Sequence, residues 1–148
     1  GGVRVIDQIR ALVTYGIPVM GHLGMTPQSV NAFGGFKVQG RGDAAETIIE
    51  DAQALQEAGC FAIVLELIPA ELASRIRSEV SIPVIGIGAG ADCDAQVLVW
   101  TDLMGLTEKA PRFARAYRDL RGEMSGAVKE WMDDVATGRF PNEAETFH

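Results

Sequence analysis

Four features of this sequence have residue types that could do chemistry. They are His22 in "PVMGHLG", Glu66 in "IVLELIP", the glycines of "GIGAG" at 86 to 90, and the turn Asp92-Cys93-Asp94. Glu66 is the sharpest signal. It lies among Ile63, Val64, Leu65, Leu67 and Ile68, where burial disfavours the charged form of a carboxylate and suits it to general acid or base work near neutral pH. The alternative is a glutamate that turns outward at a strand end and pairs with a neighbouring Lys or Arg. His22, bracketed by Gly21 and Gly24, could donate a hydrogen bond to a substrate oxygen or shuttle a proton. It could equally cap a loop carbonyl. The glycines could let backbone N–H groups approach an anion. They match neither a P-loop nor a dinucleotide fingerprint, so tight packing is the simpler reading. Lys37 and Arg41 could meet a substrate carboxylate or could simply be solvated.

These residues need elements to hold them. Val5, Ile6, Ile9, Leu12 and Val13 recur at helical spacing before Gly16, and Ile17 to Gly21 reads as a short buried strand with His22 just beyond it. A loop follows in which six of the 23 residues from Gly21 to Asp43 are glycine; loops of this length are usually functional or disordered. It is expected to enclose a substrate or to pack at a subunit interface. Asp43 and Glu46 resemble a capping arrangement for a helix carrying Ile48, Ile49, Ala52, Leu55 and Ala58, which Gly59 ends. Phe61 to Leu65 reads as a second strand with Glu66 at its end. A helix after Pro69 carries Leu72, Ile76 and Val80. "SIPVIGIGAG" supplies a third strand and "AQVLVW" (95 to 100) a fourth. Two further helices are predicted, around Pro111 to Leu120 and Ser125 to Ala136.

Strands that alternate with helices and are apolar on both faces indicate a parallel α/β sheet. "GIPVMG" at 16 to 21 recurs as "SIPVIG" at 81 to 86, with room for two β–α units between them. A closed (β/α)8 barrel needs roughly 200 to 250 residues. With about four strands in 148 residues, the chain reads as half a barrel or a small open sheet. In β/α barrels the site lies beyond the carboxyl ends of the strands, the face to which His22, Glu66 and the Gly86–Gly90 cluster are assigned.

Composition narrows the rest. The net charge of −7, from 20 acidic and 13 basic side chains, argues against nucleic acid or an anionic membrane as the main partner. Cys60 and Cys93 form no C-x-x-C pattern and suggest neither a disulfide framework nor a zinc site, so a reducing, cytoplasmic setting is expected. No apolar run spans a bilayer and no secretory signal pattern opens the chain. Gly1-Gly2-Val3 without a methionine, followed at once by a helical pattern, points to a missing upstream portion.

"GHLGMTPQSVNAFGGFKVQGR" (21 to 41), "VLELIP", "IPVIGIGAG", "CDAQVLVWTDLMG" and "FPNEAETFH" together resemble the ketopantoate hydroxymethyltransferase family, in order and at similar spacing over essentially the whole chain. Ala95, where the family commonly has Gly, and Glu145, near where it commonly has His, are small departures. The resemblance implies the C-terminal half of a (β/α)8 TIM-type barrel, 1 to 148, with its N-terminal strands missing and helices at its C-terminus. It implies hydroxymethyl transfer from 5,10-methylenetetrahydrofolate to 3-methyl-2-oxobutanoate, giving 2-dehydropantoate, by a homo-oligomer. A magnesium ion would polarise the keto group while a carboxylate takes the proton. By position, Glu66 matches the catalytic base and His22 a keto-acid contact. The magnesium ligands belong to the absent strands, so no residue here is assigned to metal and catalysis by these 148 residues alone is not expected. Two other readings stay open: a non-catalytic half-barrel assembly or binding module, and a magnesium-dependent carbon–carbon lyase of the phosphoenolpyruvate mutase type.

Overall fold

The structure is a computed structural model that describes residues 1 to 148. The chain forms two compact units, Gly1–Val97 and Leu98–His148. The first holds a four-stranded parallel sheet: β1 (Met20–Gly24), β2 (Ala62–Glu66), β3 (Val84–Ile87) and β4 (Ala95–Gln96), in the order β1-β2-β3-β4. Neighbours in sequence are neighbours in the sheet, with no reversal of the kind that marks a doubly wound fold. The strands therefore wind as a stretch of a TIM-type barrel does, and the sheet is not closed. Before β1 comes α1 (Ile6–Thr14). α2 (Ala44–Glu57) links β1 to β2, and α3 (Ala70–Glu79) links β2 to β3.

Alternation along the strands sorts the side chains. Leu23, Ile63, Leu65 and Val84 join the buried residues of α2 (Ile49, Ala52, Leu55) and α3 (Leu72, Ala73, Ile76) in one core. Ile63 and Leu65 have no exposed surface, and burying each stabilises by about 1.5–3 kcal/mol. The opposite face of the sheet carries Met20, His22, Val64 and Glu66, by the period-2 alternation of a strand.

β1 lies three residues later than the expected strand over 17 to 21. Pro18 has no N–H to give to a ladder. The approach to the sheet is instead made by Val19, whose carbonyl accepts the Phe61 N–H. The Asp43–Glu46 capping arrangement is absent: the Asp43 side chain makes no cap bond, and Glu46 pairs with Arg75 of α3. A tertiary ion pair thus replaces the local cap.

β3 and β4 have no helix between them. Residues 88 to 94 double back to the amino end of β3, where the Val84 N–H donates to Asp94 Oδ2 at 2.9 Å and Arg77 Nε donates to Asp94 Oδ1 at 2.7 Å. Parallel strands normally need a crossover of a dozen residues or more. Gly90 makes the short path possible: its φ is +84°, and a Cβ there would lie 2.4 Å from that of Ala70.

The Val84 N–H and the Arg77 guanidinium hold the Asp94 carboxyl below the usual carboxylate range. A carboxyl depressed on folding stabilises above its unfolded value, 3.8, and that contribution is lost as pH falls through the folded value. Asp94→Asn is therefore expected to lower the unfolding temperature at neutral pH, with the gap to wild type complete above about pH 4 and closing in stronger acid. Thermal melts of both proteins across that range would show it; a gap unchanged at low pH would assign the effect to something other than charge.

The fourth strand is two residues long rather than six, and Trp100 opens a short helix, α4 (Trp100–Leu103). The expected helix over 111 to 120 does not form. Tyr117 and Leu120 donate their N–H groups to Leu103 and Met104, so this segment is tied to the end of α4 instead of to its own preceding turn. α5 (Leu120–Thr137) begins earlier than expected because Asp119 caps it through the Gly122 N–H, and Gly138, in the left-handed region, ends it. No helix is long and apolar enough to cross a membrane.

Candidate functional site

His22 and Glu66 come together. β1 and β2 pair with His22 opposite Val64 and Gly24 opposite Glu66, which makes His22 and Glu66 diagonal neighbours on one face. A diagonal pair is within reach of long side chains. His22 Nε2 lies 3.0 Å from Glu66 Oε2. An ionised carboxylate only accepts, so the Nε2–H donates to it. The histidine side chain is 32% exposed and the carboxylate 15%, a pair open to a ligand on one side yet largely out of water. Glu66 Oε1 makes no hydrogen bond to a protein side chain.

His22 was expected just beyond a strand; it sits within β1, because the strand starts later. Its partner is neither a loop carbonyl nor a surface cation. Glu66 ends β2 as expected and pairs with no Lys or Arg. The pairing itself was missed, although equal parity on adjacent strands was the signal that could have found it.

The backbone around Glu66 is tightly held. Its carbonyl accepts the N–H of Met25, which is fully buried at the start of the long loop. Gly24 passes so close that a Cβ would lie 2.2 Å from the Glu66 carbonyl oxygen. Leu67 donates its N–H to Ile87 and accepts the N–H of Gln39, so the far end of the long loop is tied to the same strand end. Between these anchors the loop carries Phe36, 70% exposed, and Lys37. The loop is thus tied at both ends to the backbone of residues 66 and 67.

The other candidates fall elsewhere. Gly86 packs against Cys93, whose Sγ would lie 2.7 Å from an added Cβ, so the glycine serves packing and not an anion. Asp94 returns to the amino end of β3, away from the carboxyl ends of the strands. Burial pushes the Cys60 and Cys93 thiols up, which favours the unreactive protonated form. No group of three or more His, Cys, Asp and Glu side chains gathers anywhere in the chain.

Consecutive parallel strands with a histidine–glutamate pair at their carboxyl ends define the class: an α/β chain that winds as part of a β/α barrel, with that pair on the face where such barrels keep their sites. The chain belongs to the ketopantoate hydroxymethyltransferase family, which it matches over residues 1–143. It is 57% identical over 148 residues to a 3-methyl-2-oxobutanoate hydroxymethyltransferase of Acidothermus cellulolyticus, covering 99% of this chain and 55% of that protein. The protein of that name from Mycobacterium ulcerans is also 57% identical, covering 99% and 50%, and that from Mycobacterium bovis is 53% identical, covering 99% and 53%. The chain thus spans about half the length of the relatives it matches.

Proposed function

We propose that this chain supplies the base and a keto-acid contact of an enzyme that transfers a hydroxymethyl group from 5,10-methylenetetrahydrofolate to 3-methyl-2-oxobutanoate, giving 2-dehydropantoate. The observation that carries the reading is the His22–Glu66 pair, 3.0 Å apart on the face where β/α barrels keep their sites. The names of the relatives give the keto acid and the group transferred; the folate rests on the family resemblance.

Glu66 takes the proton from C3 of the keto acid. The C–H electron pair becomes the C2=C3 bond of an enolate, with the charge on the keto oxygen. C3 then bonds to the methylene carbon as its C–N bonds to the folate break, water supplies the hydroxyl, and tetrahydrofolate leaves with its nitrogens protonated. Proton transfer by a positioned carboxylate contributes about 10²–10⁴-fold. His22 holds Oε2 and leaves Oε1 to receive the proton, while its ring borders the keto acid. Magnesium, when bound, would polarise the keto group; its ligands are assigned to the part of the relatives that this chain does not span. The protein would act as a homo-oligomer on small molecules, without nucleic acid or membrane.

Supplying the missing strands tests this reading. The 148-residue chain would be mixed with the remaining N-terminal portion of the Acidothermus relative, and exchange of the C3 proton of 3-methyl-2-oxobutanoate followed by NMR. Exchange absent from either portion and gained on mixing is expected. A stable complex without exchange would favour a non-catalytic assembly module.

A further inference from the structure

Leu67 follows Glu66 directly, and it is the one residue other than glycine with a positive φ, +52°. A bulky residue in the left-handed region is an outlier, and such outliers persist only where their surroundings over-determine them. Here the surroundings are three segments. Met25, at the exit of β1, donates to the Glu66 carbonyl at 2.8 Å. The Leu67 N–H donates to the Ile87 carbonyl, at the exit of β3, at 2.9 Å, and the Leu67 carbonyl accepts the Gln39 N–H from the long loop at 3.0 Å. Both peptide groups that flank Leu67's turn away from the sheet are thereby fixed. β2 ends at Glu66, and Ile68 drops into the core at 3% exposure.

The direction of a side chain at a strand end follows the backbone that leaves the strand. An extended Leu67 would keep its N–H on Ile87 but carry β2 onward and rotate its carbonyl away from Gln39. With Gln39 and the buried Ile68 held in place, the misfit would pass back to the Glu66–Leu67 peptide group. We propose that Leu67 is a positioning residue, whose left-handed backbone aims the Glu66 carboxylate at His22 and sets the height of Oε1 above the sheet. This rests on the proposed role of Glu66 as base.

The backbone conformation, not the leucine side chain, carries the effect, and that fixes the test. Leu67→Gly, Leu67→Asn and Leu67→Val are introduced into the enzyme as its source organism makes it. Gly adopts positive φ freely and Asn readily, whereas β-branched Val does not. Gly and Asn are expected to keep kcat within a few-fold. Val should lower kcat by about 10–100-fold, the scale of a small misplacement, with little change in KM. A role in packing alone would give the reverse order, since Val keeps the most apolar volume. That reversed order, or a fully active Val variant, would overturn the proposal. If the Val variant does not fold, Leu67→Ala against Leu67→Gly decides it: Ala must be the slower, and equal rates refute the idea. Glu66→Gln run alongside separates the two readings. Exchange that survives it removes Glu66 as base, whereas exchange lost there with a fully active Val variant removes only Leu67.

Discussion

Replacing Glu66 with Gln is expected to lower exchange of the C3 proton of 3-methyl-2-oxobutanoate by about 10²–10⁴-fold, the contribution of a positioned general base. Gln is nearly isosteric, and its amide oxygen can still accept from His22 Nε2–H across the 3.0 Å that separates the pair. The backbone contacts of residue 66 with Met25 and Gly24 do not involve the side chain at all. The unfolding temperature should therefore stay close to that of the parent protein, and the change isolates the loss of a proton acceptor. Exchange is the preferred readout because it needs neither the one-carbon donor nor the bond-forming step. It is measured by loss of the C3 deuteron from labelled keto acid, in the enzyme as its source organism makes it, with magnesium present. A Gln variant that exchanges within a few-fold of the parent would remove Glu66 as the base and leave the His22–Glu66 pair a structural contact.

The helices and strands of the first unit were legible because their signals are local and redundant. Ile49, Ala52 and Leu55 announce the buried stripe of α2, and "FAIVLE" announces β2, before any tertiary contact is known. What was illegible depended on partners distant in sequence. Glu46 reads as a capping residue until Arg75, 29 positions away, is brought beside it. Residues 111 to 120 have helical spacing, yet Tyr117 and Leu120 bond to the carbonyls of α4. Asp94 reads as part of a polar turn at the functional face, and only the path of 88 to 94 shows it closing the opposite end of β3. The site divides in the same way. Glu66 stood out because a carboxylate amid aliphatic residues is a local anomaly. Its pairing with His22 required knowing which strands are adjacent, and the role of Leu67 required a backbone angle that leucine gives no hint of adopting.

Gly24→Ala is expected to be the most damaging of the glycine substitutions at the site, for two reasons that act at one place. The φ of Gly24 is +85°, and placing an L side chain in the left-handed region costs about 1–2 kcal/mol. The added Cβ would also lie 2.2 Å from the Glu66 carbonyl oxygen and 2.7 Å from Ile68 Cγ2. The first of these is backbone and cannot step aside without opening the β1–β2 ladder; such overpacking adds about 1–3 kcal/mol. The sum, about 2–5 kcal/mol, is a large part of the stability of a typical domain. Gly16→Ala supplies the comparison: its φ is +78°, but nothing lies within 4 Å of an added Cβ, so it carries the conformational part alone. Urea unfolding should place Gly24→Ala well below Gly16→Ala. Moving the Glu66 carbonyl also loosens its bond with the Met25 N–H and shifts the carboxylate relative to His22, so proton exchange should fall in Gly24→Ala and hold in Gly16→Ala. Equal stability of the two variants would mean that β1 and β2 part easily at this point. The close backbone approach would then be a consequence of the site's geometry rather than what fixes it.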